Sequence, residues 1–204
     1  MFMKQKLIFL LMAAALTLVA VSVKAQEGYD DSKYEISVGI GAYTYSHIKF
    51  GKDYSIDLSD AYLIDDGYNR AFSGECYYRL KPSLGVGGVF VYTDSEDVYY
   101  MKDTPIKVGV KNTRCFTLML AVKYDWFRRK YFGMYSKLAL GASICRKRYR
   151  YSVPVFDNES HHEFLLNFQA TFIGFEFGGS HFRGYYEMGG GEQGFMVMGL
   201  RLKL

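Results

Sequence analysis

From Tyr34 to Leu204 the chain alternates apolar and polar side chains with period two in eight separate stretches, and every second connection between them is short. Successive side chains of a β-strand point to opposite faces, so this period means strands with two unlike faces. The stretches run about Tyr34 to Tyr45, Asn69 to Leu80, Leu84 to Thr93, Thr113 to Tyr124, Tyr131 to Ile144, Glu163 to Phe177, Phe182 to Gly189 and Gly194 to Leu204. Lys81-Pro82-Ser83, the basic segment Trp126 to Lys130, and Gly178 to His181 make tight turns, with Pro82 where no ladder N–H is needed. Ser46 to Tyr68, Asp94 to Lys111 and Cys145 to His161 read as long polar loops, and Gly190 to Gln193 as a short one. A parity slip near Ile173-Gly174 predicts a β-bulge.

The two faces differ in a telling way. One is bulky and apolar: Phe116, Leu118, Leu120 and Val122 in one strand, and Met196, Met198, Leu200, Leu202 and Leu204 in another. The opposite face mixes small residues (Gly39, Gly41, Gly85, Gly87, Ala139, Gly141) with the charges Glu75, Arg79, Lys123, Lys137, Glu187 and Arg201. A soluble barrel puts its bulky apolar residues inside. Here small and charged side chains suit a cramped interior, where the two acids and four bases are placed to pair, since an unpaired buried charge is costly. The expected fold is therefore all-β: an eight-stranded antiparallel up-and-down transmembrane β-barrel, its last strand paired with its first so that no edge meets lipid. Tyr34, Tyr43, Tyr92, Tyr124, Trp126 and Tyr131, near strand ends, suit interfacial girdles.

Residues 1–25 stand apart as a secretory signal peptide: Lys4 and Lys6, an apolar run from Leu7 to Val21, then Val23-Lys24-Ala25 before the cut. Residues 26–204 form the barrel domain. Removing the signal takes three lysines with it and leaves 22 basic against 21 acidic side chains, so no general nucleic-acid affinity is expected. Mean hydropathy near zero excludes a helical membrane protein but not a barrel. Three cysteines allow at most one internal disulfide. Cys115 and Cys145 lie near the same end of consecutive strands and are placed to pair, although three separate thiols, Cys76 included, is the plainer expectation.

The closing stretch Gly199-Leu200-Arg201-Leu202-Lys203-Leu204 resembles the assembly signal of small eight-stranded outer-membrane barrels of the OmpA/OmpX and opacity-protein type. Gly199, Leu202 and Leu204 carry the likeness; relatives usually end in an aromatic residue, where this chain has Leu204. The segments Ser37 to Thr44 and Ser73 to Tyr92 look like hairpin strands of the same barrels. The resemblance implies insertion by the barrel-assembly machinery into the bacterial outer membrane, short turns in the periplasm, long loops outside, and an interior too full for a diffusive pore.

Some barrels of this size modify lipid A. An acyltransferase-like pattern would use His47 with Asp94 and Ser95; a deacylase-like one, Ser160, His161 and Glu163. His161 and His162 point to opposite faces if they lie in a strand and so cannot readily share an ion. No catalytic residue, metal site or cofactor is assigned. Arg146-Lys147-Arg148-Tyr149-Arg150-Tyr151 places four cations near the outer membrane surface, suited to lipopolysaccharide phosphates through guanidinium forks; the acidic loops around Asp57, Asp60, Asp65, Asp66 and Asp94 to Asp97 offer a simple charge balance instead. The expected function is a non-enzymatic outer-membrane barrel with an envelope-structural or adhesive role, its extracellular ligand unknown. The alternatives are a lipid A-modifying enzyme and a secreted soluble barrel holding an apolar ligand.

Overall fold

A computed structural model describes residues 32–51, 61–64, 69–101, 107–151 and 160–204. The expected signal peptide and the acids Asp57, Asp60, Asp65 and Asp66 lie outside these residues. The elements are β1 (Tyr34–Ala42), α1 (Tyr45–Gly51), β2 (Ala61–Ile64), β3 (Asn69–Lys81), β4 (Leu84–Met101), β5 (Lys107–Arg128), β6 (Phe132–Tyr151), β7 (Ser160–Gly178), β8 (Phe182–Gly191) and β9 (Met196–Lys203).

Eight of the strands, β1 and β3 to β9, form one antiparallel ring. It closes where β9 pairs with β1, from Glu35 opposite Lys203 to Ala42 opposite Met196. The Tyr34 N–H donates to the Leu204 carbonyl at 2.9 Å, and the Leu204 N–H returns to the Tyr34 carbonyl at 2.8 Å. The short β2 lies outside the ring, along the far end of β4.

Burial is inverted relative to a soluble protein. Leu118, Leu120, Leu140, Phe164 and Leu166 lie on the outside, and Leu120 is 81% exposed; Lys123, Arg183, Arg201 and Lys203 point inward and are at most 1% exposed. This sidedness overturns the soluble-barrel alternative, because apolar side chains this exposed need lipid around them. One interior approach shows how narrow the lumen is. Gly39 faces Gly199 across the closing seam, and a Cβ on Gly39 would collide with the Tyr185 hydroxyl oxygen.

The strands at one side are much longer than hydropathy periodicity implies. The expected loop Asp94 to Lys111 is largely strand, because β4 runs to Met101 and β5 begins at Lys107. Likewise β6 continues to Tyr151, and β7 begins at Ser160. The alternation persists there, with Ser95, Asp97, Lys111, Thr113 and Lys147 buried inside, but polar residues follow one another at Asp94 to Asp97 and Arg146 to Arg148, so the apolar period disappears while the ladder continues. The first loop also holds more structure than expected: Tyr43, with φ 59°, ends β1 and turns the chain into α1. Thr44 Oγ1 accepts the His47 N–H at 3.3 Å as an N-cap. The β7 irregularity falls between Thr171 and Ile173, where its register with β8 shifts.

Cys115 and Cys145, directly opposite in the β5–β6 ladder, are joined by a disulfide, and Cys76 is free on the exterior. The ladder register brings the two side chains to the same inner face, which corrects the expectation of three separate thiols. Maleimide labelling of the unfolded chain is expected to modify Cys76 alone before reduction and all three cysteines after it, read by intact mass. Gly39→Val is expected to abolish the compact band that the unboiled protein gives on a detergent gel; a folded Gly39→Val barrel would show that the seam has room to spare.

Candidate functional site

All six interior charges named from the sequence, Glu75, Arg79, Lys123, Lys137, Glu187 and Arg201, point into the lumen. The alternation brings them together with Glu35, Asp125, Glu176, Arg183 and Lys203. Arg201 sits at the centre. Its Nη1 donates to Glu176 Oε2 at 3.0 Å and its Nη2 to Glu75 Oε2 at 3.3 Å. Its guanidinium carbon lies 4.8 Å from the Tyr135 ring centre and 4.6 Å from that of Tyr185, so two aromatic faces flank the charge.

Around this centre each carboxylate has several donors. Lys137 Nζ bridges Glu75 Oε1 and Glu187 Oε2, at 2.6 Å to each. Glu187 also accepts from the Tyr135 hydroxyl at 2.6 Å and from Thr171 Oγ1 at 2.9 Å. Glu176 takes Lys203 Nζ at 2.5 Å and Arg183 Nη1 at 2.9 Å. Towards the short turns, Arg79 bridges Glu35 and Asp125, and Lys123 Nζ lies 2.7 Å from Glu35 Oε2. Paired in this way, charges can remain buried, and they fill the space a solute would need.

Arg128 and Arg183 also hold backbone at the short-turn end. Arg128 Nη1 donates to the Pro82 carbonyl. Arg183 Nε donates to the Gly179 carbonyl at 3.0 Å, and its Nη2 to those of Arg129 and Lys130 at 3.2 and 3.4 Å. At the other end α1 folds over the mouth. Tyr45 packs on the buried cluster of Cys115, Cys145 and Leu165, with its ring 5.3 Å from that of Phe168. Ser46 donates to Glu192 through its N–H at 3.1 Å and its Oγ at 2.8 Å. Thr93 Oγ1 and Asn167 Nδ2 complete the set at 3.0 and 2.8 Å. Glu192, in the β8–β9 turn, is thus held by neutral donors only, and burial pushes its carboxyl above the ordinary range, against the pull of those hydrogen bonds.

The lumen is packed with ionic side chains, the exterior is apolar, and the ring has no open seam. The architecture is that of a small outer-membrane β-barrel. No model of a known protein family matches the chain, and no curated protein sequence matches it. Among solved structures it is similar to Ail, the attachment invasion locus protein of Yersinia pestis. That crystal structure is 16% identical, with a TM-score of 0.44, over 84% of this chain and 99% of Ail. Ail in complex with the heparin analogue sucrose octasulfate is 17% identical, with a TM-score of 0.45, over 84% of this chain and 99% of that one. Ail in a phospholipid bilayer nanodisc is 19% identical, with a TM-score of 0.38, over 85% and 100%.

The basic run divides between two faces. Arg146, Arg148 and Arg150 line the outer wall, joined by Arg114 from β5, around a polar hollow of about 310 Å³ that Glu96 and Asn112 complete. Lys147 does not join them. Alternation turns it into the lumen, where its Nζ lies 2.8 Å from Glu163 Oε1. Directly below the arginines on the same face come Phe116 and Ile144, 55% and 61% exposed, so the cluster sits at the upper rim of the apolar band. Arg114 was absent from the expected set because it belongs to another strand; only the register, Arg114 opposite Arg146, places it there. Leu202 and Leu204 of the proposed assembly signal face outward, and Gly199 faces Gly39.

The enzymatic patterns do not assemble. Asp94 is on the outer face, where it accepts from Arg114 Nε at 3.1 Å, while Ser95 points inward and donates to the Thr113 carbonyl at 3.5 Å. His47 has its Nδ1 3.8 Å from Asp97 Oδ1. On β7, His161 and Glu163 share the face of the buried Leu165, opposite to Ser160, and Glu163 is engaged by Lys147.

Glu176 is not among the charges named from the sequence, although the parity slip expected near Ile173-Gly174 moves the inward positions of β7 from odd to even numbers and so places it inside. Glu35 and Asp125 were not named from the sequence, although the alternation at Ser37 and Lys123 would have placed them inside, as that at Arg201 places Lys203. Arg201→Met is expected to lower stability by about 3–5 kcal/mol, because it strands buried carboxylates. Urea unfolding followed by the fluorescence of Trp126 measures this, with exposed Arg146→Gln expected within about 0.5 kcal/mol of the parent. Equal losses in both variants would mean that the lumen network does not hold the barrel.

Proposed function

We propose that this chain is a non-enzymatic binding protein of the outer membrane: a sealed barrel that anchors a stiff surface sheet and seats itself in lipopolysaccharide through its outer arginines. The observation that carries the reading is the contrast between a lumen closed along its length and a long-loop side built as continuous sheet. Strands β4 to β7 have 18, 22, 20 and 19 residues, whereas about 10 suffice to cross the membrane. Above Cys115 and Cys145, which mark the top of the apolar band, β5 and β6 continue for eight and six residues (107–114 and 146–151), which stand roughly 15–20 Å beyond it at ordinary strand rise and tilt. A hydrogen-bonded sheet of that height presents side chains in fixed positions, which suits contact with another surface better than passage of solutes.

Arg114, Arg146, Arg148 and Arg150 supply the lipid contact. They lie on the lipid side of the wall, at the height where lipid phosphates meet water, and guanidinium groups bind phosphate oxygens in pairs. Assembly through Gly199, Leu202 and Leu204 belongs to the same reading.

The test compares binding of the purified barrel to bisphosphorylated lipid A and to dephosphorylated lipid A, by native mass spectrometry. The expected result is a preference for the phosphorylated form that falls at least about tenfold in Arg146/Arg148/Arg150→Gln, each factor of ten being about 1.4 kcal/mol, and that Lys147→Gln leaves unchanged. Lipid A from cells expressing the protein is expected to keep its mass. A lost or gained acyl chain would overturn the non-enzymatic reading, and equal binding of the two lipids would overturn the phosphate contact.

A further inference from the structure

The short-turn end carries charges that the lumen network does not use. Lys33, Lys81, Arg129 and Lys130 are exposed there, on the segment before β1 and on the β3–β4 and β5–β6 turns. The side-chain carboxylates of this end among the described residues, Glu35, Asp125 and Glu176, are buried and committed to Arg79, Lys123, Arg183, Arg201 and Lys203. The rim is therefore cationic with no exposed side-chain acid among the described residues to balance it.

The same rim is rigid and placed at an interface. Arg79 Nη1 donates to the Pro82 carbonyl at 2.8 Å, and Arg183 holds the carbonyls of Arg129 and Lys130, so buried arginines fix the turns that bear the exposed ones. Just inside the rim lies an aromatic belt that includes Tyr34, Tyr131, Phe177 and Phe182, each more than half exposed. The Arg129 guanidinium carbon is 5.4 Å from the Phe127 ring centre, and Lys130 Nζ is 5.2 Å from that of Tyr131. Aromatic rings at headgroup depth with cations beside them match a layer of lipid phosphates above acyl chains.

We infer that this rim is a binding surface for anionic phospholipids of the inner leaflet, with Lys33, Lys81, Arg129 and Lys130 meeting headgroup phosphates while the aromatic belt fixes their depth. The inference rests on the outer-membrane reading, with the short turns towards the periplasm. It makes the barrel a two-sided lipid clamp: arginines against the outer leaflet, and a mixed lysine–arginine rim against the inner. Each basic residue near an anionic membrane surface favours it by a factor of about five.

The experiment incubates the full mature chain in detergent with equimolar phosphatidylglycerol and phosphatidylcholine of identical acyl chains, and counts retained lipids by native mass spectrometry. The parent is expected to retain phosphatidylglycerol several-fold over phosphatidylcholine. Lys33/Lys81/Arg129/Lys130→Gln is expected to lose that preference, and Arg146/Arg148/Arg150→Gln to keep most of it. An unboiled gel band establishes that each variant is folded; its absence in the parent would instead sink the barrel reading itself. No preference in the parent, or a preference abolished only by the outer-arginine variant, overturns the inference. Cosedimentation with peptidoglycan that the rim variant loses, with lipid preference intact, would assign the rim to the cell wall and equally overturn it.

Discussion

Arg201 has no water to turn to. It is fully buried on the closing strand, and its guanidinium reaches Glu75 on β3 and Glu176 on β7, with Tyr135 of β6 and Tyr185 of β8 against its faces. Five of the eight ring strands thus converge on one charge. Such a charge is tolerable only if every acceptor is in place, and the acceptors are in place only when the ring is closed in register. A slip of one residue between β9 and β1 would turn Arg201 towards lipid and strand its partners. Closure, register and the blocked lumen are consequences of the same requirement.

The barrel was legible because its central strands obey a period that lipid enforces on one face and a narrow lumen on the other. That is why Phe116, Leu118 and Leu120 could be placed outside and Lys123 inside from the sequence alone. Where the outer face leaves lipid the constraint vanishes. Asp94 to Asp97 and Arg146 to Arg148 continue the ladder of the strands below them, but polar residues follow one another there without an apolar face, and they read as loops. Glu176 was missed for a different reason: the irregularity in β7 was legible, but its effect, reversing the parity of everything after it, has to be carried through to the next charge. The outer arginine cluster was half visible. Adjacent residues in the run looked like one patch, whereas the strand alternates them, sending Lys147 inward and bringing in Arg114 from 32 positions before Arg146 along the chain.

Functionally, the molecule divides its charges by depth. Those in the lumen are paired and serve cohesion; on the outer wall, above Phe116 and Ile144, Arg114 pairs with Asp94 while Arg146, Arg148 and Arg150 stand exposed, as do Lys33, Lys81, Arg129 and Lys130 on the short-turn rim. The residues that could have suggested chemistry are scattered by the same alternation: Asp94 and Ser95 on opposite faces, Ser160 across the strand from His161. What remains organised on the outer side is a sheet surface.

The Cys115–Cys145 bond crosses between β5 and β6 at the height where exposed Phe116 and Ile144 give way to Arg114 and Arg146. In the binding role proposed above the projecting sheet would bear load, and antiparallel strands pulled from their far ends come undone rung by rung, like a zipper. The disulfide is a stop on that zipper. Tension applied to the outer ends of β5 and β6 can open the ladder only down to this covalent rung, so the stretch of wall that faces lipid is shielded from the pull.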